Sequence, residues 1–524
     1  MKPGNAQPRG ADAPGTLTRR AFIRTGAGAA AAISAFGATG CEEKLAKIPG
    51  YRPPLRESGA AGALPSLDGS PHPSPPVPSG ALPDILTHTV NRLSYGLRPG
   101  EYARLLQPGR SPGEAAQAYI NAQLAPEGVD DAALEAEVRR LEVLAEPLAE
   151  LFEYKEAYLL RQMTKATLLR AVYSRHQLKE VMVQFWSDHF NIDSSKGECR
   201  WLKAADEREV IRPHALGQFP TMLRASALSP AMLWYLDGRV NRTASPAERP
   251  NENYARELLE LHTLGVHGGY TQQDVMEVAR CLSGWTVRDR YQLRKGVVEF
   301  HADQHDDGAK TVLGKPIPAG LGKADLDRVL EIVALHPSTA QHLARKLCRR
   351  FIADGPPAEA VDAVAKQYLA SRGDIRATLR ALFDCPAFAD PQFRAGRFRR
   401  PFEFIVAALR ATDADCRPGE EIAAYLTSMG HAPYQYPTPE GYTLSPGPWM
   451  ATLMWRWNFA IALSANKIEG TRIDLDRLRT QAGGDTGLMA EALGRTPTSD
   501  ERDAFAQSGN GLALLLASPA FQYC

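Results

Sequence analysis

The chain has 524 residues, of which 44% are hydrophobic and 23% charged, a composition typical of globular rather than disordered or fibrous proteins. Its 61 basic and 60 acidic residues nearly cancel, so the charge gives no reason to expect nucleic acid as a partner. A short arginine cluster at residues 397–400 is interpreted as a solvated helix end.

The N-terminal residues carry the pattern of an export signal. Arg19 and Arg20 precede a mildly apolar stretch, residues 25–40, which is too short and too rich in alanine and glycine to favour a transmembrane helix. Paired arginines before such a stretch are typical of twin-arginine signals. Residues 1–41 are therefore predicted to direct the protein to the periplasm or cell envelope; the alternative is a basic, unstructured N-terminus.

Cys41 follows three small residues, 38–40, as in a lipoprotein cleavage site. The sequence predicts lipidation at Cys41 as the protein's contact with a membrane; the alternative is an ordinary soluble signal with a nearby cysteine. The other six cysteines form no CxxC pair, which disfavours a thiolate zinc site, although an oxidising compartment would permit disulfides. Cys281 and Cys348 lie within apolar helical patterns and are predicted to be buried thiols.

Residues 42–83 are dense in proline, glycine and serine, which predicts a flexible, disordered linker. Beyond it, apolar residues recur three and four positions apart, as in amphipathic helices. The predicted helical stretches are 132–175 (two helices), 178–190, short helices between 204 and 236, then 252–264, 271–284, 325–335, 338–352, 358–371, 375–383, 401–411, 420–429, 449–468 and 500–521.

Residues 288–322 interrupt this pattern with a β-branched stretch and glycine-rich turns, which predicts a small β-hairpin or a long loop. No linker divides residues 84–524. The sequence therefore predicts an all-α fold, with one large multi-helix domain that carries a single irregular or β-hairpin insertion.

The first polar cluster ends the predicted helix 178–190, where Asp188 and His189 place a carboxylate beside an imidazole. A histidine whose second ring nitrogen meets a carboxylate can ligate a metal or act as a base. The alternative is a helix C-terminus with polar caps, where a protonated histidine is favoured.

The second cluster lies on the predicted helix 252–264. Helical spacing places Asn253, Glu257 and Glu260 on one side, with Arg256 beside them and His262 away from this stripe. The helix is so rich in leucine that it is predicted to be buried nearly all round, so its charges must be paired or coordinated. Either a metal or a structural Arg–Glu network would satisfy them, and an exposed stripe would be a solvated face. The stripe is predicted to face the Asp188–His189 pair across packed helices.

Two loops add further candidates. His301 and His305 alternate with aspartates in residues 301–308, a pattern that can bind a divalent cation; the alternative is a hydrophilic turn. Residues 434–442 combine aromatics and prolines, and such a loop either lines a cleft or serves as a rigid connector. The chain lacks a Gly-x-Ser-x-Gly elbow, a P-loop, a GxGxxG turn and a CxxCH motif, which disfavours common hydrolase, nucleotide-binding and c-type haem functions.

Several of these segments together resemble the bacterial domain-of-unknown-function family DUF1800, from about His88 to the C-terminus. The resemblance implies a helical, exported protein, often encoded beside a second exported family that looks sulfatase-like, and it assigns no catalytic residues. The segments that carry it are 88–96, 186–190, 251–265, 270–275, 283–286, 400–404 and the loop ending at Gly441 and Tyr442.

Two functions remain open from the sequence. One is an exported enzyme that depends on a divalent metal or another cofactor, with Asp188, His189, Asn253, Arg256, Glu257, Glu260 and His262 near its centre. Its candidate metal ligands are His189, Glu257, Glu260, His301 and His305. The other is a non-catalytic periplasmic protein that supports a sulfatase-like exported partner. Convergence of the polar clusters in one concave pocket would favour the enzyme.

Overall fold

The computed structural model describes residues 77–243, 248–289 and 294–524. The predicted signal peptide, Cys41 and most of the predicted linker lie outside these residues. No helix of the described part of the chain is long and apolar enough to cross a membrane.

The described chain begins beside the helical domain. Gly80 exchanges two hydrogen bonds of 3.0 Å with Thr496, one from its amide to the threonine hydroxyl and one from the threonine amide to its carbonyl. Pro78 and Pro83 are buried. Residues 77–83, which the sequence analysis assigns to the linker, are thus attached to the domain.

Local capping explains where the first helices begin. Asp84 accepts a hydrogen bond from the Thr87 amide at 2.8 Å, and Ser111 and Glu114 form a reciprocal capping box. The helices of this part are α1 (Ile85–Leu93), α2 (Glu101–Leu106), α3 (Pro112–Leu124), α4 (Ala132–Arg139), α5 (Leu148–Leu151), α6 (Glu156–Tyr173), α7 (Gln177–His189) and α8 (Cys199–Asp206), with 3-10 turns at Pro126–Gly128 and Glu142–Ala145.

Two single-turn π-helices distinguish the middle of the chain. The predicted helix 252–264 is an α-helical turn followed by a π-helical one, and π-turns are rare and frequent at functional sites. The elements here are π1 (Glu207–Ile211), α9 (Arg212–His214), α10 (Phe219–Ala227), α11 (Pro230–Tyr235), a 3-10 turn (Gly238–Val240), α12 (Asn253–Glu257), π2 (Leu258–His262) and α13 (Gln272–Cys281).

The insertion contains two antiparallel hairpins rather than the single one predicted. Strands β1 (Trp285–Val287) and β2 (Val298–Phe300) pair with Thr286 opposite Glu299, and β3 (Lys310–Val312) and β4 (Lys315–Ile317) pair with Thr311 opposite Pro316. Leu313 and Gly314 both have positive φ, which closes the second hairpin with a tight two-residue turn. A 3-10 turn, Ala302–Gln304, follows β2.

The C-terminal half is helical apart from a short bridge between β5 (Asp415–Cys416) and β6 (Thr471–Arg472). The predicted helical stretch 500–521 consists of three short helices, interrupted at residues 508–510 and at Ser518. The helices are α14 (Ala324–Ala334), α15 (Pro337–Phe351), α16 (Ala358–Ala370), α17 (Ile375–Phe383), α18 (Pro386–Ala389), α19 (Pro401–Ala411), α20 (Glu420–Ser428), α21 (Gly447–Met450), α22 (Leu453–Ser464), α23 (Leu475–Gln481), α24 (Asp485–Leu493), α25 (Ser499–Gln507), α26 (Gly511–Ala517) and α27 (Pro519–Gln522), with a 3-10 turn at Pro391–Phe393.

The predicted mostly helical fold is confirmed, and its core surrounds α19. Every residue of α19 is buried, including Glu403 and Arg410. Contacts group residues 77–151 and 155–524 into one compact unit. The six cysteines of the described chain are buried and none is paired with another, which includes the predicted thiols Cys281 and Cys348.

Candidate functional site

The C-terminal end of α7 is anchored in the core by Trp186, whose indole donates a hydrogen bond to the Ala215 carbonyl at 3.0 Å. The two candidates of the first cluster, Asp188 and His189, bind different partners. Asp188 accepts a hydrogen bond from the guanidinium of Arg400 at 2.6 Å. Burial raises the pKa of Asp188, and the charge of Arg400 opposes that rise.

His189 is buried and uses both ring nitrogens. Its Nε2 lies 3.1 Å from the carbonyl oxygen of His262, and its Nδ1 lies 2.8 Å from Nζ of Lys346. A carbonyl only accepts, so Nε2 carries the proton and Nδ1 accepts from the lysine. Burial, reinforced by the charge of Lys346, lowers the pKa of His189 well below its ordinary value, so the ring is neutral.

Lys346, on α15, is the residue of this site that the sequence analysis missed. Burial lowers the pKa of its ammonium group to about 8, and Arg349 adds to the effect while Asp188 opposes it. The available signal was weak, since Lys346 lies one turn after His342 on a strongly amphipathic helix, where a lysine is ordinarily solvated. Its partner His189 is 157 positions away in the sequence.

His262 ends the π2 turn and lies beside this pair. Its ring centroid is 6.0 Å from that of His189, and neither of its buried ring nitrogens has a hydrogen-bond partner within the described chain. Burial lowers the pKa of His262 to about 3. The neighbouring Tyr254, at 6.4 Å between centroids, also has a buried hydroxyl without such a partner. Unsatisfied buried groups of this kind are rare and point to a water or ligand.

The second cluster, by contrast, lies on the outer side of its helix. Asn253 is exposed and its amide donates to the Leu236 carbonyl at 3.1 Å. Arg256 pairs with Glu252 at 3.0 Å, not with the two glutamates of the predicted stripe. The prediction that this helix is buried nearly all round is wrong, because its polar side reaches solvent while its leucines face the core.

The two glutamates of the stripe are half-buried. Glu260 accepts from the Tyr270 hydroxyl at 3.3 Å. Burial, with the charges of Glu260 and Glu440, raises the pKa of Glu257. The hydrogen bonds of His189 go to Lys346 and to the carbonyl of His262, which lies off the stripe, and Asp188 binds Arg400. Within the described residues no hydrogen bond joins Asp188 or His189 to the stripe.

The His/Asp loop forms a separate, internally paired structure. His305 is buried between the Ser283 carbonyl at 2.9 Å and Asp325 at 3.1 Å, and Asp325 also binds Lys310 at 2.6 Å. His301 is half-buried at the end of β2. Within residues 77–243, 248–289 and 294–524, no group of three or more His, Cys, Asp or Glu side chains is arranged to hold a metal ion.

The aromatic loop does meet the first cluster. Asn191 donates to the carbonyls of Tyr436 and Thr438 at 2.9 and 2.8 Å, and Gly441 packs against the Asp188 backbone. Loop and α7 together enclose a cavity of about 50 Å³, room for about two waters. Its polar lining includes Glu180, Ser187, Asp188, Asn191, Glu207 and Tyr434.

The arginine cluster 397–400 is not a solvated helix end as predicted. Arg397, Arg399 and Arg400 are buried, and Glu403 accepts from Arg397 at 2.8 Å. Burial raises the pKa of Glu403, but the charges of Arg397, Arg350 and Arg400 hold that pKa well below its ordinary value. Through Arg400 this ionic cluster positions Asp188, which in turn faces Lys346.

The fold and this site define a large helical protein in which a buried histidine, His189, meets the half-buried side chain of Lys346 beside Asp188. The chain belongs to DUF1800, a family of proteins of unknown function, whose family model matches residues 88–523. This confirms the resemblance drawn from the sequence. No curated protein and no solved structure matches the chain.

Proposed function

We propose that the protein is an exported envelope enzyme whose reacting group is the amine of Lys346, held by His189. The observation that carries the proposal is the 2.8 Å contact between Nζ of Lys346 and Nδ1 of His189. A lysine becomes a nucleophile or base near neutral pH only when its surroundings disfavour the ammonium form. Burial and the charge of Arg349 provide such surroundings for Lys346.

The hydrogen-bond geometry leaves the amine free to react. Because Nε2 of His189 donates to the His262 carbonyl, Nδ1 of His189 can only accept, and it accepts one N–H of Lys346. In the neutral amine the nitrogen lone pair therefore points away from the imidazole. The ring of His262, whose nitrogens have no hydrogen-bond partner within the described chain, lies next to His189 and offers two polar atoms to a ligand of the amine.

A neutral lysine amine suits reactions of aldehydes and ketones. The amine nitrogen bonds to the carbonyl carbon, and the carbonyl oxygen takes a proton. Loss of that oxygen as water, with the second amine proton, leaves an imine. Asp188, fixed by Arg400, favours the cationic forms of this sequence through its charge.

Export and anchoring are part of the proposal. They rest on the Arg19–Arg20 pair before residues 25–40 and on Cys41 after three small residues. The mature chain then begins at a lipidated Cys41, with the proline-rich residues up to 76 as its tether. Mass spectrometry of the mature N-terminus tests the anchor, and a start at any residue other than Cys41 contradicts it.

A second candidate function is the non-catalytic support of an exported partner, such as a sulfatase-like protein. The observation that favours it is an exposed apolar surface around α22, on the described chain, whose residues do not include Lys346. The two functions are compatible, because a partner bound at this surface leaves the amine untouched.

The experiment that tests the catalytic proposal is reductive trapping. The full chain is incubated with glyoxylate and cyanoborohydride near neutral pH, and the modified lysines are mapped by mass spectrometry. We expect Lys346 to be captured ~10-fold or more faster than the exposed Lys323, since a pKa of about 8 leaves more of the Lys346 amine unprotonated near neutral pH than an ordinary lysine has.

Three variants complete the test. Lys346→Met removes the adduct, and His189→Phe slows it at Lys346 while the rate at Lys323 stays the same. His342→Gln, one turn from Lys346 on the same helix, is the matched control and retains capture. Equal capture of Lys346 and Lys323 in the unmodified chain contradicts the proposal.

A further inference from the structure

The surface around α22 exposes large apolar side chains at helical spacing. Met450, Met454 and Ile461 are 51%, 67% and 47% exposed, and Leu453 and Trp457 lie between them with large exposed areas of their own. Isolated apolar residues on a surface are ordinary, but a contiguous row three and four positions apart is not.

The opposite side of the same helix explains why it is held in place. Phe459, Ala460 and Leu463 are buried, and α22 packs along α26. Arg456, the single charged residue of α22, is also buried, where it donates to the Arg399 carbonyl and the Gln522 side chain at 2.8 Å each. The helix is thus apolar on both sides, and only one side is covered.

A groove runs beside this row. It has a volume of about 530 Å³ and lies between α22 and the helices α24, α25 and α26. Its walls are almost entirely apolar, and they include Phe398, Leu453, Trp457, Met489, Phe505 and Leu515. Aromatic and methionine side chains around a concave apolar surface are typical of sites that receive an amphipathic helix.

The charged residues at the groove are acidic. Asp500 and Glu501 are its two charged lining residues, and Glu501 is neutralised by Arg495 at 2.5 and 2.9 Å. Asp500 is exposed and accepts only a 3.4 Å hydrogen bond, from Ser499, within the described chain. The groove therefore presents one carboxylate that a basic residue of a ligand can pair with.

We propose that this groove binds an amphipathic helix of a partner protein, with its apolar face on Met450, Leu453 and Trp457 and a lysine or arginine facing Asp500. A concave groove fits the cylinder of a helix better than the plane of a bilayer, and the carboxylate of Asp500 repels anionic lipid. The inference concerns binding alone and does not rest on the proposed chemistry at Lys346.

The test uses fluorescence polarisation of a labelled Leu–Lys amphipathic peptide about five turns long, with the full chain. A Leu–Glu peptide of the same length and apolar face is the matched probe. We expect the Leu–Lys peptide to bind and the Leu–Glu peptide to bind ~10-fold or more weakly, with Asp500→Lys reversing this preference.

Surface variants distinguish peptide binding in the groove from non-specific hydrophobic binding elsewhere on the protein. Met450→Glu is expected to weaken binding of the Leu–Lys peptide ~10-fold or more, and Leu369→Glu, at an exposed leucine on α16, is expected to leave it unchanged. Three outcomes of the binding assay overturn the inference: no peptide binding, equal binding of both peptides, or preferential binding to phosphatidylglycerol vesicles. Dimerisation of the chain that Met450→Glu abolishes would also overturn it, since the occupant would then be a second copy.

Discussion

Lys346 determines the electrostatics of the interior site because its ammonium group is disfavoured by burial while its amine has a partner. The folded chain releases the Lys346 proton at about pH 8, whereas an unfolded lysine releases it at about 10.4. Between these values the unfolded state binds more protons, so stability rises with pH across this window. Below it, the cost of holding the ammonium in the fold is present in full.

This predicts how Lys346→Met changes the pH dependence of stability. The unfolding free energy of the unmodified chain should rise relative to that of the variant by up to about 3 kcal/mol between about pH 8 and pH 10.5. Urea denaturation of both proteins measures this difference in unfolding free energy. The contributions of the neighbouring charged and titratable groups cancel to first order, because both proteins contain Asp188, His189, His262, His342 and Arg349. The exposed Lys323→Met serves as control; a difference as flat as that of the control would contradict the assigned pKa.

Glu403 is the second residue with a specific expectation. It is the carboxylate that Arg350, Arg397 and Arg400 share, and removing one partner of a buried ionic cluster leaves charge uncompensated. Glu403→Gln is expected to lower the unfolding free energy by about 3 kcal/mol or more, measured by urea denaturation near neutral pH. Glu420→Gln, which removes an exposed ion pair with Arg161, should cost no more than about 1 kcal/mol. Equal costs at the two sites would show that the cluster around Glu403 is not a stabilising unit.

At the scale of elements, the site depends on the contact between the aromatic loop and α7. Gly441 has φ of 71°, and a Cβ there would lie 2.1 Å from the Asp188 carbonyl oxygen. Gly430 has nearly the same φ, 72°, with no atom within 4 Å of a built Cβ. The pair therefore separates steric collision from backbone strain.

Gly441→Ala is expected to destabilise the protein well beyond Gly430→Ala, which carries only the strain of a left-handed backbone, about 1–2 kcal/mol. Thermal and urea unfolding measure the two costs. Gly441→Ala should also slow reductive capture at Lys346, because the added Cβ fits against the Asp188 backbone only if α7 is displaced. Equal destabilisation by the two variants would mean that the loop yields without disturbing the site.

Elements with strong local signals were predictable from the sequence. Ile375–Phe383 and Pro401–Ala411 have the predicted bounds, because Asp374 caps one and proline opens the other. The burial of the second polar cluster was not, since its leucine content predicted burial nearly all round while its polar side reaches solvent. Helical spacing did place His262 away from the polar stripe, and His262 is buried.

The candidate site was predictable only in part, for a related reason. Asp188 and His189 were identified because they adjoin each other in the sequence at a helix end. Their partners Arg400 and Lys346 are 212 and 157 positions away, and no periodic pattern links them. The interpretation of residues 397–400 as a solvated helix end was wrong because it assumed exposed charges, while α19 is buried on every side.

For the whole molecule, location decides which substrates and partners the protein meets. Replacing Arg19 and Arg20 together by lysine is expected to leave precursor in the cytoplasm, because the twin-arginine pathway reads that pair. Cell fractionation and immunoblotting measure the distribution. Arg24→Lys, a conservative change in the same segment, is the control and should be exported normally. Normal export of the double variant would contradict the prediction that the twin-arginine pathway carries the protein to the envelope.

The central claim is that Lys346 is the reactive amine of the protein, and the pH profile of reductive capture tests it most directly. The rate of glyoxylate capture at Lys346 and at Lys323 is measured in one sample series from about pH 6 to pH 10, by mass spectrometry of the same digests. The account predicts that the rate at Lys346 reaches half its maximum near pH 8, at a lower pH than that at Lys323. A profile for Lys346 that coincides with that of Lys323 would contradict it.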